Sequence, residues 1–152
     1  MFKKKIKIRK IFPDIIYNNT DVEKFINVIM VSGKKTVARN IVYKSFNYIK
    51  YFYKKNPIEI FSLALDNAAP LIKVKLKKRG RFKNSYSEIK KIKRKSLSMK
   101  WIKKFSKIRK ERHMYLKLAN ELIDASKKRG ESFKKKESLH KIFDSKRSYK
   151  NK

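Results

Sequence analysis

The chain has 152 residues, and its 45 Lys and Arg against 12 Asp and Glu give a formal net charge of +33 at pH 7. Charge of one sign on that scale repels itself in isolation and is drawn to dense polyanions. Hydrophobic residues at 41% and aromatics at 12% exclude a purely disordered polycation, and the absence of cysteine excludes disulfides, a thiolate zinc site and a cysteine nucleophile.

Residues 1–19 read as an extended basic arm: Lys3, Lys4, Lys5, Lys7, Arg9 and Lys10 interleave with Ile6, Ile8 and Ile11, and Pro13-Asp14 signals a turn. No apolar stretch with a small-residue cleavage site follows Met1-Phe2-Lys3-Lys4-Lys5, which predicts a protein that works in the compartment where it is made. From Thr20 the pattern is helical. Thr20 and Glu23 fit a capping box, Val22, Phe25, Ile26, Ile29 and Met30 recur at helical spacing, and Gly33 offers a left-handed stop. A second helix starts at Thr36, with Val37, Ile41, Val42, Ile49 and Phe52 on one side. Asn56-Pro57-Ile58-Glu59 starts a third, carrying Phe61, Leu65 and Ala68 and ending at Pro70.

Over residues 71–93 the period changes. Ile72, Val74 and Leu76 alternate with Lys73, Lys75 and Lys77, Gly80 offers a turn, and the region around Tyr86, Glu88 and Ile89 provides a returning strand. A two-stranded ribbon is marginal alone in water, so a projecting one leans on a partner. Helix resumes near Ser96, with Leu97, Trp101, Phe105 and Ile108 on the predicted core stripe. Another holds Met114, Leu118, Leu122 and Ile123, stopped by Gly130, and a last one carries Phe133, Leu139, Ile142 and Phe143. The predicted fold is mainly α: a single bundle-like helical domain over residues 20–145 with a protruding basic β-hairpin at about 71–93, an N-terminal arm over 1–19 and a basic tail over 146–152.

Catalytic chemistry finds little to hold. Gly33-Lys34-Lys35-Thr36 imitates the end of a phosphate-binding loop without the upstream glycine, and no G-x-G-x-x-G occurs. His113 and His140 fall on different predicted helices with no ligand pattern near either; His113 reads as a helix-start residue and His140 as a surface or phosphate-facing one. The few acids read mostly as caps and turns. We therefore expect no enzyme, cofactor or metal site. No run approaches the ~18 apolar residues of a membrane span, so no membrane partner is expected.

What recurs is cations beside aromatics and helix ends: residues 3–10, Lys34-Lys35, the ribbon Lys73-Lys75-Lys77-Lys78-Arg79-Arg81, Lys93-Arg94-Lys95 and Lys134-Lys135-Lys136. Taken singly each has a solvated face as its bland alternative; five together predict phosphate binding with counterion release. Lysine is a point charge rather than a planar fork, so such contacts read phosphate position, and specificity comes from the shape of a folded RNA. Part of the lysine excess follows from A/T-rich codons, but codon bias does not explain so few acids. Phe82, near the ribbon tip, is the exposed stacking candidate, whereas the spacing around Trp101 predicts core.

Along essentially its whole length the chain resembles the family of bacterial-type small ribosomal subunit protein seven. Arg9-Lys10-Ile11-Phe12-Pro13-Asp14 is similar to that family's arm, and Met30-Val31-Ser32-Gly33-Lys34-Lys35 to its first inter-helix loop. Ala64-Leu65-Asp66-Asn67 with Pro70, Leu97-Ser98-Met99-Lys100-Trp101-Ile102, and Leu118-Ala119-Asn120-Glu121-Leu122 with Asp124-Ala125 resemble its third, fourth and fifth helices. Gly130 onward, through Lys136-Glu137 to His140-Lys141, resembles its sixth. The chain departs from the pattern at the tip, where paired glycines become Gly80-Arg81, and after Tyr86, where Ser87-Glu88-Ile89 replaces a Tyr-x-x-Pro run.

The resemblance implies a structural protein of the small subunit that binds rRNA, nucleates the 3′ major (head) domain and sits beside neighbouring ribosomal proteins, without forming a homo-oligomer. It implies rRNA contacts at Arg9, Lys10, Lys34, Lys35, Lys77, Lys78, Lys93, Arg94, Lys100, Lys134, Lys135 and Lys136. It also implies a hairpin near the exit-site tRNA and mRNA path, at Lys78, Arg79, Arg81 and Phe82. The expected location is the ribosome of a reduced, A/T-rich bacterium, or of an organelle that encodes the protein. An architectural DNA-compacting protein is the alternative that the charge also fits.

Overall fold

The computed structural model describes residues 11–76 and 84–148 of the chain. Among them are six helices, α1 (Thr20–Ile29), α2 (Lys35–Tyr53), α3 (Pro57–Ala68), α4 (Lys91–Ile108), α5 (Met114–Ser126) and α6 (Glu131–Ser148), and two strands, β1 (Ile72–Leu76) and β2 (Asn84–Glu88). The strands pair antiparallel from Ile72 opposite Glu88 to Leu76 opposite Asn84. Residues 1–10 and 77–83 lie outside the described residues, and with them the predicted contacts Arg9, Lys10, Lys77, Lys78, Arg79, Arg81 and Phe82.

Several helix boundaries and faces differ from those predicted. The N-cap of α1 is Asn19 rather than Thr20: its Oδ1 accepts from the Asp21 and Val22 amides at 2.8 and 3.4 Å. Glu23 does not close a capping box but pairs with Lys35 at the start of α2. Ser32 and Gly33, at φ 50 and 74, turn the chain between the two helices. The third helix starts as predicted, with Asn56 Oδ1 accepting from the Ile58 amide and Asn56 Nδ2 donating to Glu59. After α5 the left-handed residue is Lys128, at φ 59. Gly130 is required by close approach instead, since a Cβ there would stand 2.9 Å from Glu121 Oε1 and 3.0 Å from the Ala125 amide nitrogen.

The start of α4 carries no signal that a sequence rule would find. It begins at Lys91, not near Ser96, with no side-chain cap and no acid in its first turn, against the preference of helix dipoles for acids there. Its register is held by the Lys90 carbonyl, which accepts from the Lys93 and Arg94 amides, and by Arg94 Nε donating to the Ile89 carbonyl at 2.8 Å. The core side of α4 is also rotated from the predicted one: Ser98, Met99, Ile102 and Ser106 are buried, Ile108 is exposed, and Trp101, predicted as core, is half-buried. On α2 the buried positions are Ala38, Val42, Ser45, Phe46 and Ile49, whereas Val37 and Phe52 are exposed. Serine misleads a hydrophobic count because in a helix it satisfies its own hydroxyl. Ser45, Ser98 and Ser106 each donate to the carbonyl three residues back, at 2.7, 2.9 and 3.0 Å.

The fifth helix packs against α2, α3, α4 and α6 and is the centre of the bundle. Leu118, Ala119, Leu122 and Ala125 are fully buried on it. On one side Phe25, Phe46 and Phe61 make tilted ring contacts at 5.1 and 5.6 Å, and Tyr17 closes the cluster edge-on to Phe46. Tyr17 is brought there by a turn around buried Asp14, whose carboxylate accepts from the Ile16 and Tyr17 amides and the Tyr43 hydroxyl.

On the other side Glu121, fully buried, accepts from the Ser132 amide and hydroxyl at the start of α6 and from Arg109 Nη1 at the end of α4. Arg109 also reaches Glu111 and Asp124. One charge cluster thus ties three helices together. Burial works against ionisation of Glu111, but hydrogen bonds from the Asn120 amide group and Arg109 outweigh it and hold its pKa at about 2.

Removing one partner of a buried ion pair leaves the other unpaired, so Glu121→Ala should cost about 3 kcal/mol in urea unfolding. Glu111 has a folded pKa below its ordinary 4.5. Its contribution is therefore complete above that value and disappears as pH falls toward about 2. Glu111→Gln should remove that part of the acid dependence, read from urea midpoints as a function of pH.

Candidate nucleic-acid interface

At about 100° of turn per residue, Lys93, Lys100, Lys104 and Lys107 share one side of α4, opposite the buried Ser98, Met99, Ile102 and Ser106. All these lysines are exposed, and a rise of about 1.5 Å per residue spreads them over roughly 20 Å of helix. Packing of the opposite face against α5 and α3 fixes which way the stripe points. Its edge forms an open groove with the end of α1, lined by Asn27, Val28, Lys100, Lys103, Lys104 and Lys107, with no acid in the lining.

Lys103 performs a structural task at the groove's edge. Its ammonium donates to the Val28 carbonyl at 2.6 Å and to Met30 at 3.4 Å, placing positive charge on the exposed carbonyls at the end of α1, whose own last turn contains no base. Burial, with nearby Lys107, lowers its pKa.

The predicted contacts divide in the same way. Lys34, Lys93, Lys100 and Lys135 are exposed and outside the ion pairs among the described residues. Lys35 pairs with Glu23, Arg94 holds the Ile89 carbonyl, and Lys134 pairs with Glu131 at 2.7 Å. Lys136 turns inward to donate to the Asn67 carbonyl at the end of α3, at 2.8 Å, and lies 5.7 Å from the Phe133 ring centroid; burial lowers its pKa. Lys95 of the same cationic run pairs with Asp21 at 2.7 Å and joins α4 to α1.

Sequence reasoning singled out Lys93 and Lys100 but missed Lys104, whose only neighbouring cation is Lys103, and Lys107, which stands alone. Once the extent of α4 is known, their helical spacing finds them. Trp101 lies on the flank between the lysine side and the core. His113 is the N-cap residue of α5, as predicted. His140 faces the fold rather than a phosphate: its Nε2 accepts from the Leu71 amide at 3.2 Å, and burial together with Lys136 lowers its pKa and keeps it a neutral acceptor. Among the described residues no group of three or more His, Cys, Asp or Glu could hold a metal, and no helix is long and apolar enough to cross a membrane.

A rigid helical bundle presenting an acid-free lysine stripe has the charge layout that phosphate binding calls for. The family model for ribosomal protein S7p/S5e matches residues 1–147. The small ribosomal subunit protein uS7 of Mycoplasma mobile is 40% identical over 148 residues, covering 97% of this chain and 95% of that protein. Those of Mycoplasmopsis pulmonis and Nitrosomonas europaea are 38% and 36% identical over the same shares. The chain belongs to the ribosomal protein S7p/S5e family. That makes it a structural protein of the small ribosomal subunit, part of the rRNA-containing particle that carries out translation, and not an enzyme.

The two kinds of lysine should separate in one comparison on a small-subunit rRNA fragment. Lys100→Glu with Lys104→Glu should weaken binding and flatten the plot of log affinity against log salt by about two phosphate contacts, with the melting temperature unchanged. Lys136→Ala, which leaves the Asn67 carbonyl without its donor, should lower the melting temperature and flatten the salt slope by one contact at most.

Proposed function

We propose that the chain is a primary binder of the 3′ major domain of small-subunit rRNA and nucleates assembly of the subunit head. The observation that carries this reading is the acid-free stripe of Lys93, Lys100, Lys104 and Lys107 on a helix whose other side is locked into the core. A rigid spacing of point charges selects an RNA by where its folded backbone puts phosphates. Arg9, Lys10, Lys34, Lys35, Lys77, Lys78, Arg94, Lys134, Lys135 and Lys136 complete the proposed contact set. Lys35, Arg94, Lys134 and Lys136 engage RNA through whatever donors their internal partners leave open.

The finer architecture belongs to the same proposal. The basic arm before the turn at Asp14 and the ribbon that carries β1 and β2 extend the contact beyond the helical domain, and Lys146 and Arg147 in the last turn of α6 add charge. Lys78, Arg79, Arg81 and Phe82 lie near the exit-site tRNA and the mRNA path. Neighbouring small-subunit proteins are further partners. The setting is the cytoplasm of a bacterium, a reading supported by the relatives from Mycoplasma mobile and Mycoplasmopsis pulmonis.

Binding to an isolated 3′ major domain transcript across a salt series, beside scrambled RNA of equal length and duplex DNA, tests this. Preference for the rRNA domain should persist at salt concentrations where the other two dissociate. Three curves falling together would leave only non-specific polycation binding, which a DNA-compacting protein shares.

A further inference from the structure

Two residues one turn apart on α6 clasp the segment that leads from α3 into β1. The Lys136 ammonium donates to the Asn67 carbonyl at 2.8 Å, and His140 Nε2 accepts from the Leu71 amide at 3.2 Å. The four-residue step on the helix matches the four-residue step along the segment. The two contacts use opposite chemistry, a donor to a carbonyl and an acceptor from an amide. Asn67 has a further anchor, since its side chain donates to the Ala125 and Ser126 carbonyls at the end of α5.

Leu71 is one foot of the ribbon. Its carbonyl accepts from the Ile89 amide at 3.0 Å, one pair below Ile72 and Glu88. Ile89 is the other foot: its side chain is buried, and its carbonyl accepts from Arg94 Nε of α4 at 2.8 Å. Side chains from two different helices therefore hold the two feet. A two-stranded ribbon has too little core of its own to fix its direction, so that direction comes from what grips its base. The two grips differ in kind. A guanidinium stays charged and keeps donating, whereas an imidazole accepts only while neutral, because the protonated ring carries hydrogen on both nitrogens.

Burial and the Lys136 ammonium lower the pKa of His140, and Asp144 opposes them. The groove beside the ring also holds Glu137 and Lys141 of α6 and Lys128, which follows α5, while Asp66 of α3 acts on Lys136. We infer that His140 is a latch that sets the angle at which the ribbon leaves the helical domain. Neutral, it ties the foot of β1 to α6; protonated, it lets that foot go. The inference concerns the free chain and does not depend on which polymer the chain binds.

The chain has no cysteine, so nitroxides at Lys44→Cys on α2 and Ser85→Cys on β2 report the ribbon's direction in the full chain. Pulsed electron resonance reads it as a distance distribution, and exchange of the Leu71 amide with solvent reads the bond itself. At about pH 8, His140→Ala should broaden the distribution and remove the protection of the Leu71 amide. His140→Gln carries an acceptor that does not titrate and should keep both at their wild-type values. Taking the wild type to about pH 5, below the ordinary imidazole range and above that of carboxylates, should reproduce the alanine result and leave the glutamine variant unmoved. Far-UV circular dichroism showing wild-type helix content in each variant keeps loss of the fold from being read as a moving ribbon. An unchanged distribution in the alanine variant overturns the latch. So does loss of Leu71 protection without broadening, which leaves the angle to Ile89 and Arg94. A wild type unmoved at the lower pH, or moved together with the glutamine variant, overturns the release on protonation.

Discussion

In a chain with 12 acids against 45 bases, where the few paired carboxylates are placed is the constraint on which the rest of the structure depends. The deepest of them, Glu121, is fully buried on the central helix. Its three hydrogen bonds, from the Ser132 amide and hydroxyl and from Arg109, fix where α6 begins and where α4 ends. Asp14 pins the approach to the bundle through Tyr43, Asp21 joins α1 to α4 through Lys95, and Glu23 joins α1 to α2 through Lys35. Several of the acids therefore sit at joints between elements, where a partly screened environment makes an ion pair worth more than on an open surface.

The surplus of bases creates the opposite problem, mutual repulsion, and part of the answer is the exposed carbonyls at helix ends. Lys103 takes those of α1, Lys136 that of α3, and Arg94 the carbonyl of Ile89 below α4. Asn67 does the same without charge for the end of α5, donating to the Ala125 and Ser126 carbonyls at 3.1 and 2.9 Å. The contacts of Lys103, Lys136 and Asn67 couple elements distant in sequence, whereas Arg94 acts locally at the start of α4. Others stay free. Along α4 the two kinds are interleaved: Arg94, Lys95 and Lys103 hold the fold, and Lys93, Lys100, Lys104 and Lys107 face outward.

On the proposed reading, that division lets a protein of extreme charge be selective. Uniformly distributed lysine binds any polyanion; lysine at fixed positions on a stiff helix matches only a backbone that places phosphates there. The stiffness comes from the packing of α5 against four other helices. A ribosomal structural protein with no chemistry to perform requires that combination: an inside that cannot shift and an outside whose charges are laid out by it.

Much of this is legible in the residues alone. The charge, the lack of cysteine, Asn56-Pro57 as a helix start, the succession of helices around one change of period, and the six motifs matching the S7p/S5e family need no coordinates. What failed was local and had a physical cause. The capping box at Thr20 lost to Asn19 because Glu23 finds Lys35, a partner twelve residues away. The start of α4 was missed because no cap or acid marks it. Trp101 was placed in the core because apolar residues recur beside it, while the true inner face includes serines that satisfy themselves. The amino-acid sequence by itself determined the class of partner and the family, because net charge and motif order survive without folding. Which lysines remain free for that partner was decided only by the tertiary structure, because a cation's availability depends on whether another helix brings a carboxylate or an exposed carbonyl to it.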